Sequence, residues 1–386
     1  MKIPAVISIL KKKVWSFFHF DLIRNYGHTR YKKRCLLIYI TFPFKQRDLS
    51  DRHQNIWQAT ELARIIGEFG YQVDVADYQN KYTRPIGKYD MVIGLIPRGI
   101  DIYSRHLNPN AVKIAYLTSS SIEYTNLKEM QRISELYARR GVKLKPRRQG
   151  GIIQKELEAF DGALLFGNEF TLQSYSQFNM PPVFFVANNG YEPDFDLLYF
   201  KNPKKFIYFG SAGSVHKGLD LLLEVFSEPE FPCELYVCGS VEKETDFVYA
   251  FQEELYHTAN IHVLGRLNVH SDEYRKMVND CAFSILPSCA EGQAGSVATM
   301  MSAGVISICS KDCGYDDDEV IILPDCSIST IREYVLVCSL KSNEWIEQNS
   351  KKAFNCYKTR HSQECFSKSI REGLSQILMG NSEENV

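Results

Sequence analysis

No stretch of this 386-residue chain approaches the ~18–20 consecutive apolar residues that a bilayer-spanning helix needs. No clean apolar core with a small-residue cleavage site follows the early lysines, so a secretory leader is not expected either. Cys-x-x-Cys does not occur among the 11 cysteines, and Cys233/Cys238 and Cys309/Cys313 lack zinc-knuckle spacing. Their number is odd, and only Cys35 lies in the first half of the chain. They read as reduced, mostly buried small apolar residues of a cytoplasmic protein. The net charge of −1 gives no basic surplus for a nucleic-acid binder. No Gly-x-Gly-x-x-Gly follows the first buried strand, which argues against a dinucleotide domain.

What is present is the composition of a soluble globular protein, 45% hydrophobic and 24% charged. The length exceeds what one core usually serves, so two domains are expected. The even charge hides an asymmetry. Residues 1–34 carry nine basic residues against Asp21, a surplus of +8, which leaves −9 for the remainder. The run from Lys11 through Trp15, Phe17 and Phe18 to Phe20 reads either as an interfacial helix touching anionic lipid or as a helix packed on the first domain.

Buried strands are expected at Cys35–Ile40, Gln72–Ala76, Met91–Ile96 and Val112–Leu117, with a helix between about Asn55 and Phe69. Strands alternating with helices imply a parallel, doubly wound sheet. Gly162–Gly167 reads as a last strand of this domain, and Asn188-Asn189-Gly190 as a turn near its end. The basic run Arg139 to Arg148 reads as a solvated surface or as a holder of a lipid diphosphate. Thr118 to Asn126 reads as a Ser-rich helix cap or as an acceptor contact. A second set of strands follows at Phe206–Phe209, Cys233–Cys238, Ile261–Leu264, Ala282–Leu286 and Val305–Cys309, then amphipathic helix from about Asn343 to Leu378.

Two Gly-containing turns join strand to helix in that second set. The first runs from Gly210 through Ser211 and Gly213 to Lys217-Gly218, just before an apolar helix. The second runs from Glu291 through Gly292, Gln293, Gly295 and Ser296 to a helix closing before Gly304. Free N–H groups at such a helix entrance favour an anion, and a lysine beside them suits a diphosphate. The bland reading of each is a steric need for glycine and a solvated lysine. Asp316-Asp317-Asp318 reads as a surface loop.

Together these turns resemble the C-terminal half of the retaining GT-B glycosyltransferases of family 4, the "group 1" transferases. The resemblance implies an α/β GT-B fold, two Rossmann-like doubly wound domains facing across a cleft. It implies an acceptor domain over 35–192, a nucleotide-sugar domain over 193–360, and a helix crossing back over 361–379. It also implies transfer of a sugar, with retention, from a nucleotide-sugar donor to a glycan or lipid-linked glycan in surface polysaccharide synthesis. Lys217, with Gly210, Ser211 and Gly213, would meet the diphosphate. The N–H groups from Gln293 through Gly295 and Ser296 to Val297 would meet the distal phosphate and sugar, and Gly292 would allow close approach. Glu291 would orient the sugar. Gly239, Gly265 and Arg266 would cradle the base. Lys217 and Glu291 are the residues expected to carry catalysis, with no resident cofactor and no metal. The setting would be cytoplasmic, peripheral at the membrane face.

Three departures stand out. Thr299 occupies the place of the family's second glutamate, which holds ribose. Ser211 and Ser214 replace an arginine of the first loop, for which Arg266 is a substitute. Thr118-Ser119 stand where relatives carry histidine. They motivate an alternative, a non-catalytic module that binds a nucleotide sugar or a partner transferase. A sugar-nucleotide epimerase is a further alternative.

Overall fold

The computed structural model describes residues 22–45, 54–80, 82–96, 100–150 and 156–383. The basic aromatic run up to Phe20 lies outside them. Cys35, Leu36, Leu37 and Ile38 have no exposed surface, because their strand is covered on both faces. That strand, β2 (Lys33–Tyr39), is flanked by β3 (Tyr71–Asp77) and β4 (Tyr89–Gly94), and β5 (Leu107–Leu117), β6 (Gly162–Phe166) and β7 (Val183–Val186) continue the sheet in parallel. A further strand, β1 (Ile23–Tyr26), pairs antiparallel with β3 at the edge. The first domain therefore starts before residue 35: Arg34 joins it too, with its guanidinium 2.6 Å from the buried carboxylate of Asp74.

Helix α1 (Asn55–Glu68) buries Ala59, Leu62, Ala63, Ile65 and Ile66 along one stripe, as a 3.6-residue period requires. Helix α2 (Ile122–Arg140) is capped at Ser121, whose hydroxyl accepts from the Tyr124 N–H, and ends on Gly141 in the left-handed region.

The second sheet is parallel throughout, in the order β10-β9-β8-β11-β12-β13. Its strands are β8 (Asn202–Phe209), β9 (Glu234–Cys238), β10 (Ile261–Gly265), β11 (Cys281–Leu286), β12 (Ile306–Ser310) and β13 (Ile321–Leu323). Helix α3 (Leu219–Phe226) is buried nearly all round, and α4 (Gly295–Ser302) and α5 (Asn343–Arg360) cover the sheet further along. The last helix, α6 (Gln363–Glu383), lies on the first sheet. A Cβ at Gly162 would sit 2.6 Å from Ile377, and one at Gly373 would sit 2.5 Å from Leu164, so bare glycine on both surfaces sets the closeness of that contact. Phe366 meets Trp57 edge to face at 5.5 Å, and Arg371 bonds Glu68 at 2.8 Å.

The run Arg139 to Arg148 is mostly exposed, but three of its arginines are held by acids. Arg139 pairs with Asp220 and Glu224, Arg140 with Glu254, and Arg147 with Asp246 and Glu244. These acids belong to the second domain, so the run is an ionic seam between the two. Its other flank is apolar: Ile133 and Leu136 of α2 pack into the core around α3.

Candidate active site

The carboxyl ends of both sheets open on one cleft of about 670 Å³. Open parallel sheets bind ligands there, because loops leave the strands at that edge. Arg148, Lys217, Lys243 and Arg266 line the cleft, and Glu291 is the only carboxylate among the described lining residues. The balance favours an anion.

Lys217 and Glu291 are brought together from the two glycine turns. Lys217 Nζ donates to Glu291 Oε1 at 2.5 Å, with side chains 7% and 11% exposed. Ser288 Oγ donates to the same oxygen at 2.9 Å. Oε2 takes no hydrogen bond from a described residue, and an ammonium keeps two further protons. Each partner thus retains bonding capacity. Burial alone would raise the Glu291 pKa, but Lys217 first, then His216 and Arg148, outweigh it and hold the carboxyl at about 2. Burial pushes the His216 imidazole down, against the pull of Glu291, so the ring is neutral near pH 7. Its Nε2 lies 2.6 Å from the Ala290 carbonyl, which places the proton on that nitrogen.

The Glu291 backbone is held between the domains. Its N–H donates to the Asp312 carbonyl, and its carbonyl accepts from the Ser120 N–H, both at 2.9 Å. Thr118 lines the cleft, and Ser121 caps α2. Sequence alone did not reveal Gln54 or Gln58, which sit at the start of α1. Gln54 Nε2 donates to the Gly295 carbonyl at 2.8 Å and to Thr299 Oγ1 at 2.9 Å. Gln58 Nε2 donates to Asn188 and Asn189 at 2.7 and 2.8 Å.

Of the expected binding residues, Gly210, Ser211, Lys217, Gly239, Arg266, Glu291, Gln293, Gly295 and Ser296 line the cleft; Gly213, Gly265, Gly292, Val297 and Thr299 do not. Gly213, Gly292, Val297 and Thr299 are each committed elsewhere. The N–H groups of Gly213 and Ser214 both donate to the buried Glu244 carboxylate, at 2.6 and 3.2 Å. A Cβ at Gly292 would come within 2.8 Å of the Thr118 carbonyl and 3.0 Å of that of Phe166, so this glycine admits the neighbouring domain rather than a ligand. Thr299 has no exposed surface, and its hydroxyl donates to the Gly295 carbonyl at 2.8 Å while accepting from Gln54. It is therefore not placed to hold ribose. Val297 is buried in the core. The Gln293 amide bridges the Asn188 N–H and the Gly314 carbonyl.

Residues 203–329, covering the second sheet and its turns, match the family model of glycosyl transferases group 1. That match covers about a third of the chain and falls within the second domain. The described residues have the GT-B fold. Sucrose-phosphate synthase of Thermosynechococcus elongatus superposes with a TM-score of 0.62 at 10% identity, covering 90% of this chain and 100% of that one. HepE of Anabaena, solved with UDP and glucose, gives 0.56 at 9% identity over 90% and 99%. TarM of S. aureus, solved with fondaparinux, alpha-GlcNAc-glycerol and UDP, gives 0.51 at 17% identity over 74% and 55%. The chain thus spans about half the length of TarM. No curated protein sequence matches.

Glu319, Cys356 and His361 form the metal-ligand cluster found among the described residues. None lines the cleft, and the Glu319 carboxylate already meets His361 at 2.9 Å and Arg360 at 3.4 Å. Among the described residues no helix is long and apolar enough to cross a membrane.

Proposed function

We propose that this chain is a retaining glycosyltransferase that moves a sugar from a nucleotide-sugar donor to a glycan or lipid-linked glycan in surface polysaccharide synthesis. The observation that carries the reading is the cationic cleft at the strand ends, with Lys217 bonded to Glu291 at its floor. The solved structures of TarM and HepE, both with UDP bound, support the donor class. Lys217 offers its remaining protons to the leaving diphosphate, stabilising charge as it develops. The first N–H groups of α4, at Gly295 and Ser296, add to that. Glu291 Oε2 accepts hydrogen bonds from sugar hydroxyls and fixes the donor. Donor and acceptor filling the cleft would exclude water from the reacting centre. In this scheme cations and helix ends serve the diphosphate, and no resident metal or cofactor is needed. Retention follows from acceptor attack on the face that the diphosphate leaves. Work at the cytoplasmic membrane face belongs to the same reading, through the basic aromatic run.

A second reading, a nucleotide-sugar-binding module without turnover, draws on the Glu244 carboxylate at the Gly213 and Ser214 amides and on the buried Thr299. The two readings separate by nucleoside diphosphate release from UDP-, GDP-, ADP- and dTDP-sugars in the presence of lipid-linked glycans. Release from one donor, an axial or equatorial product bond matching the donor anomer, and loss of release in Glu291→Gln support transfer with retention. Binding of one donor with no release supports the second reading.

A further inference from the structure

The first glycine turn has no arginine, and its Gly213 and Ser214 amides already face Glu244. Beyond the Lys217 ammonium, the cations lining the cleft that could serve a diphosphate at that turn are Arg148, Lys243 and Arg266, and of these Arg148 lies against the turn's own Gly213. We infer that Arg148, delivered across the cleft from the first domain, supplies the second cation. The inference rests on the nucleotide-sugar reading above.

The placement of Arg148 is built rather than incidental. Glu129, 1% exposed on α2, accepts from the Arg147 N–H at 2.8 Å, the Arg148 N–H at 2.9 Å and the Gln149 side chain at 2.9 Å. Asn126, one turn earlier, clamps Gly150 through both its N–H and its carbonyl, at 2.9 and 2.8 Å. A buried carboxylate and an amide thus fix the backbone on either side of Arg148. The side chain then crosses to the second domain: a Cβ at Gly213 would lie 3.0 Å from its Cγ and 3.3 Å from its Cδ. The guanidinium differs from its neighbours. Arg139, Arg140 and Arg147 each hold an acid, whereas Arg148 makes no ion pair or side-chain hydrogen bond among the described residues. Its charge nevertheless reaches the Lys217–Glu291 pair, since it is among the cations that keep Glu291 ionised. A planar fork of donors above a glycine, facing a lysine, matches two phosphate groups. Because Arg148 and Lys217 stand on opposite domains, the diphosphate itself ties the two together.

The test measures dissociation constants of UDP, GDP, ADP and dTDP, and of the monophosphate of whichever base binds, for the wild type, Arg148→Ala and Arg148→Lys. The expected result in Arg148→Ala is a loss of roughly tenfold to a hundredfold for the diphosphate, the size of one charge-assisted contact, with the monophosphate changed by much less. Arg148→Lys should recover part of it, because a point charge replaces the fork. Thermal melting should not move, as the exposed side chain supports no other contact. Equal diphosphate affinity in wild type and Arg148→Ala overturns the assignment while leaving the nucleotide-sugar reading intact. Binding of none of the four nucleotides to the wild type removes that reading, and the role of Arg148 falls with it.

Discussion

Lys217 and Glu291 were visible in the sequence as the last residue of one glycine turn and the first of another, but their direct bond was not. It depends on β8 and β11 being neighbours in the second sheet. The bond has consequences for stability. Lys217→Met leaves a carboxylate unpaired inside the protein, which costs about 3–5 kcal/mol. Glu291→Gln keeps a hydrogen-bonding shape and should cost less, and the double variant should be more stable than the sum of the two predicts, as urea unfolding would show. The sign with pH follows from the depressed pKa. The Glu291 carboxyl sits at about 2 against an ordinary 4.5, so its stabilisation is present above the upper value and is lost as pH falls toward the lower. Acid unfolding of Glu291→Gln should therefore be less steep in that window. Lys201 behaves oppositely. Burial pushes its ammonium from 10.5 down to about 7, so below that pH the fold carries a buried charge, which is relieved as pH rises. Its charge rests on the Val278 and Ala303 carbonyls. Wild-type stability should climb as pH rises from about 7 toward 10.5, and Lys201→Met should flatten that climb.

Elements were the most legible level, because burial on both faces leaves a continuous apolar mark. Cys35–Ile40 and Ala282–Leu286 are read from the sequence; the second lies within β11, and the first falls in β2 except for Ile40. The edge strand β1 was not legible: Ile23, Arg24, Asn25 and Tyr26 alternate too little, and only pairing with β3 defines them. The ionic role of Arg139 to Arg147 was equally hidden, since a charge run looks the same whether its partners are water or Asp220 and Glu254. Helix α6 rests on the first sheet through two bare glycine surfaces. Gly373→Val should clash with Leu164, overpacking that contact at a cost of about 1–3 kcal/mol. Gly380→Ala, with open space at its Cβ, should be neutral. Equal melting temperatures for the two variants would mean that α6 is not held by this close approach.

On the scale of the whole molecule, two sheets share one cleft, and the contacts across it are mostly polar. Gln54, Ser120, Thr171 and Tyr124 each reach a group of the second domain. Ser120 and Tyr124 lie in the stretch Thr118 to Asn126 that reads as a helix cap or an acceptor contact, but the bonds across the domains left no mark in the sequence, since a glutamine on a helix start has no pattern until its partner is placed. Beside the cleft, Arg139 and Arg147 hold the ionic seam. Replacing both by alanine should loosen the domains, giving a larger radius of gyration in small-angle scattering and a stronger effect on donor KM than on kcat. An unchanged radius would assign the seam a local role only. In the reading proposed above, the cleft takes the diphosphate of a nucleotide sugar. The most direct measurement is ligand-observed NMR on the purified protein with UDP-, GDP-, ADP- and dTDP-sugars, repeated with Lys217→Met after its fold is checked by circular dichroism. Saturation transfer to one nucleotide sugar, lost in the folded variant, is the predicted result. Transfer to none of them in the wild type, or equal transfer in the variant, would contradict it.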